Sequence, residues 1–199
     1  MRFFIFLFFI SLNAYSQNNY DKVIFNIISD ISKERIKDDI VTLANFGTRH
    51  TLSDTVSNER GIGAARRWIK KTFESISEDC NNCLEVFDQK NYFKKNNLRL
   101  IKDVWINNVV AIQRGSKHPN RYVLMSGDID SRVSDPNDFI SDSPGANDNA
   151  SGMAGTIEAA RVLSKHKFDN SIVYVGLSGE EQGLYGGKGL AEYAKKNNW

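Results

Sequence analysis

Two stretches of the sequence concentrate residues that move protons or hold cations. The first opens with Ser126-Gly127-Asp128-Ile129-Asp130-Ser131-Arg132 and closes with Pro144-Gly145-Ala146-Asn147-Asp148-Asn149-Ala150-Ser151-Gly152. The second is Leu177-Ser178-Gly179-Glu180-Glu181-Gln182-Gly183. Asp128, Asp130, Asp148, Glu180 and Glu181 on one rim would repel one another unless protons or cations intervene. A metal site or an acid–base site is the chemistry such a set serves. Helix capping and turn formation account for Asp142 and Asn149, but they explain poorly a Glu180-Glu181 pair that follows an apolar run. Gly176-Leu177-Ser178-Gly179-Glu180 lacks the final glycine of a nucleophile elbow. Gly186-Gly187-Lys188 lacks the earlier glycine and the following hydroxyl of a phosphate loop.

For these carboxylates to meet, the chain must bring two loops to one place. Tyr122–Met125 and Ser171–Leu177 read as short buried-type strands, with a helix over Asn149–Lys165 between them and another over Gly187–Lys196. Strand–helix alternation predicts parallel pairing with right-handed crossovers. Ligand sites of such sheets lie beyond the carboxyl ends of the strands, which is where both loops fall. Earlier, Asp21–Phe46 has apolar residues at helical spacing for one or two helices, and Asn58–Ser77 predicts another. Leu84–Phe93 and Asp103–Gln113 carry the β-branched and aromatic residues of a hairpin.

Composition bounds the class. A 41% hydrophobic and 25% charged chain is globular rather than disordered, and a formal charge of +2 excludes the strongly basic surface of a typical nucleic-acid binder. Met1-Arg2 followed by the apolar run Phe3–Leu12 and then Ala14-Tyr15-Ser16 reads as a signal peptide over residues 1–16, cleaved before Gln17. Its ten apolar residues are too few to span a bilayer, which needs about 20. The expected location is therefore exported, periplasmic or extracellular, with no membrane span after cleavage and no nucleic-acid partner. In that oxidising compartment Cys80 and Cys83 are expected to form a tight local disulfide. His50, His118 and His166 lie in polar neighbourhoods and read as solvated loop or helix-end residues.

SGDIDSR, SPGANDNASGMAG and VGLSGEEQGLYGGKG together resemble the co-catalytic di-zinc aminopeptidase family, over roughly residues 40–199. The resemblance implies a three-layer α/β/α sandwich with a mostly parallel mixed sheet, residues 17–199 being the amino-terminal part of a zinc peptidase domain. It implies two zinc ions and peptide substrates, cleaved by a metal-activated water. Asp148 would bridge the two ions, Glu181 would be a ligand, Glu180 the general base, and Asp130 the residue that orients the ligand at position 128.

The chain departs from the family in two places. Asp128 stands where the family has a histidine ligand, a change that suits Mn²⁺ or Mg²⁺ better than zinc at that position. Two further ligands, an Asp and a His, are expected downstream of Trp199, so the sheet is expected to be incomplete at that end and the 199 residues alone inactive. The alternative reading is a non-catalytic, degenerate peptidase fold kept for binding.

Overall fold

The computed structural model describes residues 17–96 and 98–199; the expected signal segment, residues 1–16, lies outside the described residues. The chain divides into two units, residues 1–32 and 33–199. The first holds helix α1 (Gln17–Ser29), whose Val23, Ile24, Phe25 and Ile28 are exposed. The second holds α2 (Lys33–Ala44), α3 (Gly61–Asp79), β1 (Leu84–Phe93), β2 (Val104–Gln113), β3 (His118–Asp128), α4 (Ser151–Leu163), β4 (Asn170–Leu177) and α5 (Tyr185–Lys196). No helix among the described residues is long and apolar enough to cross a membrane.

The second unit is an α/β fold around a four-stranded mixed sheet ordered β1-β2-β4-β3. The expectation of a mostly parallel sheet is corrected. β1 pairs antiparallel with β2, β2 antiparallel with β4, and only β3 runs parallel to β4. The reason is the hairpin: β1 and β2 are joined without a helix, so β2 returns antiparallel and then lies against β4. The one crossover, β3-α4-β4, is the one parallel pair.

Side-chain alternation along β2 divides the core. Val109 and Ala111 join Ile69, Phe73, Met153, Ile157 and Tyr174 beneath α3 and α4, while Val110 and Ile112 join Val173, Val175 and Leu190 of α5 on the other face. Helices thus cover both faces of the sheet. Arg161 ties α4 to α2 by an ion pair with Asp39 (2.7 Å) and is itself held within α4 by the buried Glu158 (3.2 Å), which steadies the helix that follows the Asp148 loop. Cys80 and Cys83 form a disulfide just after α3, with Cα atoms 5.5 Å apart.

Gly127 and Gly176 face each other across the β3–β4 ladder. A Cβ on Gly127 would lie 2.5 Å from the Met153 Cα and N. The start of α4 therefore rests directly on the strand backbone, and glycine is what lets it come so close.

Candidate active site

Asp128 pairs with Leu177 on the last rung of the parallel ladder, so the loops after β3 and β4 leave from one edge. Asp128 is half-buried and accepts a hydrogen bond from Asn149 Nδ2 at 3.2 Å. Burial, then the charges of Glu180, Asp148 and Glu181, push its carboxyl up to about 6, partly offset by the Asn149 bond. Burial likewise holds Glu180 above the ordinary carboxylate range, with Glu181, Asp130 and Asp148 adding to it and Arg132 opposing. Asp148 is exposed, in the irregular segment Ala146–Ala150, and the peptide bond between Asp148 and Asn149 is cis.

Asp130 is almost completely buried, and its carboxylate faces the glutamate loop. Its Oδ1 accepts the N–H of Glu180 (3.2 Å), and its Oδ2 accepts both the N–H of Glu181 (3.2 Å) and the Thr51 hydroxyl (2.8 Å). A carboxylate at 128 has no N–H to offer, and Asp130 turns to the backbone of the glutamate loop. Burial pushes Asp130 up to about 6 despite these bonds. The loop makes its turn at Gly179, whose φ of +78° is a left-handed conformation that favours glycine.

Four residues not singled out from sequence hold the loops in place. Arg49, 1% exposed, donates to the carbonyls of Leu43 (2.9 Å), Ile129 (2.7 Å), Pro144 (2.6 Å) and Gly145 (3.0 Å). Arg132 Nε donates to Glu181 Oε2 at 2.5 Å. Thr51 donates to Asp130, and Gln182 Nε2 donates to the Pro136 carbonyl at 2.8 Å. His50, expected in solvent, is fully buried and is a correction. Its Nδ1 accepts from the Leu52 N–H (3.0 Å), so the ring proton sits on Nε2 and is donated to Pro136 O (3.0 Å). Burial lowers its pKa, which keeps the imidazole neutral. Arg132 and Gln182 stand inside the motifs already noted, where adjacency to Asp130 and Glu181 is a usable signal. Arg49, His50 and Thr51 sit in an early polar loop with no such neighbour.

The carboxylates suit a hard divalent cation by their chemistry, since burial and then neighbouring negative charge push both Asp128 and Glu180 up. They do not complete its coordination: among the described residues no three His, Cys, Asp or Glu side chains form a metal-holding group. Asp128, Asp148 and Glu181 thus fit part of a metal site rather than a closed one.

Residues 108–199 match the model of peptidase family M28. A probable zinc metalloprotease of Pyrenophora teres f. teres is 42% identical over 177 residues, covering 88% of this chain and 38% of that protein. Residues 108–199 belong to peptidase family M28. The chain spans about two-fifths of the length of the curated relatives it matches. The LapA aminopeptidase of Legionella pneumophila superposes with a TM-score of 0.69 at 18% identity, covering 89% of this chain and 42% of that one. A glutaminyl cyclase of Fimbriiglobus ruber gives 0.64 at 17%, covering 83% and 56%. The two proteins are named for different reactions on one fold, so the fold alone does not choose the chemistry.

Proposed function

We propose that the whole M28 protein is a metal-dependent exopeptidase of the aminopeptidase type, to which this chain contributes Asp128, Asp148 and Glu181 as ligands and Glu180 as general base. The observation that carries the reading is the shared sheet edge, where Glu180 is held above its ordinary pKa beside Asp128, Asp148 and Glu181. When bound, zinc supplies the Lewis acidity that lowers the pKa of a water and polarises the peptide carbonyl. Glu180, tuned towards neutrality, takes the water's proton and passes it to the leaving amine. Asp130 keeps Glu180 and Glu181 in place by binding both their N–H groups. The protein is exported, with cleavage before Gln17.

Glu180→Gln in the full-length protein tests the central role. Peptidase turnover, read with a leucyl-anilide, should fall by about 10²–10⁴-fold while zinc content stays near wild type. Undiminished turnover would remove Glu180 from the role of base. Asp128 in the place of a ligand histidine favours a second reading, a binding protein without catalysis. Wild type without activity at any divalent metal would establish it. Amino-terminal sequencing of the exported protein should begin at Gln17.

A further inference from the structure

Glu181 is held at all three of its polar groups, each by a different residue. Its N–H donates to Asp130 (3.2 Å), its carbonyl accepts from Arg99 Nη1 (2.8 Å), and its Oε2 accepts from Arg132 Nε (2.5 Å). The first two fix the backbone, and only the third fixes the carboxylate. Arg132 is itself anchored, because Nη1 donates to the carbonyls of Val133 (3.1 Å) and Ser134 (3.2 Å). The two side chains are 30% and 13% exposed, so the pair is sheltered rather than a loose surface contact. The contact engages a single carboxylate oxygen and leaves the other as the donor it does not use.

We propose that Arg132 is the positioning residue for Glu181, holding Oε2 so that Oε1 is presented to a divalent cation. This rests on the reading of Glu181 as a metal ligand. Two effects of Arg132 oppose one another. Its positive charge repels an incoming cation, and in this sheltered position solvent screens that repulsion only in part. Its grip fixes the ligand's direction, and outer hydrogen-bond partners of ligands are worth about 10–100-fold in metal affinity. Orientation outweighs repulsion.

The test is a competition titration of the full-length protein with zinc alone against a chromogenic chelator. Glu181→Gln and Arg132→Gln should each weaken zinc by about 10–100-fold, with Arg132→Lys recovering part of the loss. The double variant should bind as weakly as Glu181→Gln alone, since Arg132 acts only through that carboxylate. A merely structural arginine would instead add its effect to that of Glu181→Gln. Unchanged or tighter zinc in Arg132→Gln, with Glu181→Gln still weak, overturns the positioning role. Should Arg132→Gln not fold, Arg132→Lys and its double with Glu181→Gln give the same comparison. Unchanged zinc in Glu181→Gln overturns the ligand reading, and the proposal with it.

Discussion

Thr51 and Asp130 stand 79 residues apart in the sequence and share a 2.8 Å hydrogen bond in the interior. The bond holds the carboxylate that in turn holds the Glu180 and Glu181 amides. Thr51→Val leaves Asp130 with one partner fewer. It should cost about 1–3 kcal/mol, a fall in melting temperature of about 2–4 °C for each kcal/mol in a domain of this size. Asp130→Asn should cost more, because one amide arm then turns a donor towards a backbone donor. Hydrogen exchange at the Glu180 and Glu181 amides is the specific readout. Exchange no faster than wild type in Asp130→Asn would show that the loop holds itself.

The raised carboxyls of Asp128 and Asp130 set a pH dependence for the metal-free protein. Both reach about 6 in the fold from an ordinary value of 3.8. The folded state therefore binds more protons than the unfolded state between those values. Their ionised forms oppose folding above pH 6, and the opposition fades as pH falls towards 4. Asp138, lowered to about 2, works the opposite way, but only below its ordinary value of 3.8. Thermal melts in chelator should show greater stability at pH 5 than at pH 7.5, with the difference reduced in Asp130→Asn. Stability that declines steadily from pH 7.5 to 5 would contradict the assignment. On the proposal that Asp128 is a ligand, metal must displace its proton, so loading of the full-length protein should weaken below pH 6.

Asp128→His restores the imidazole that the family resemblance expects. A neutral nitrogen ligand also removes one charge from a crowded rim, so zinc affinity in the full-length protein should rise and preference for Mn²⁺ should fall. Identical zinc affinity in wild type and variant would show that position 128 does not touch the metal.

Gly127→Ala places a methyl 2.5 Å from the Met153 backbone. No side chain there can swing aside, so α4 must move, at a cost of about 1–3 kcal/mol or more. A shift of α4 carries the Asp148 segment with it, and both melting temperature and metal affinity should fall. A variant as stable as wild type would mean that α4 has slack against β3.

The β1–β2 hairpin and the helix faces of α3 and α4 were legible because short-range patterns set them. Val109 and Val110 alternate between two cores, and Met153, Ile157 and Ala160 recur at helical spacing. The antiparallel β2–β4 pairing was not legible, since it joins Val109 to Gly176 with no local signal between them. The carboxylates at strand ends stood out by type and position. Arg49 and His50 did not: their burial depends on carbonyls of Ile129, Pro136 and Pro144, contributed by distant loops.

Arg49 also sets how the site edge moves. Its planar guanidinium receives carbonyls from the end of α2, from the segment between Asp128 and Asp130, and from the approach to Asp148. Opening any one of these loops leaves a buried cation short of partners, a penalty that the other loops then share. They should open together or not at all, as one cooperative unit with one opening free energy rather than three. Native-state hydrogen exchange would then give common protection factors across segments far apart in sequence, and ordering one carboxylate loop would order the other.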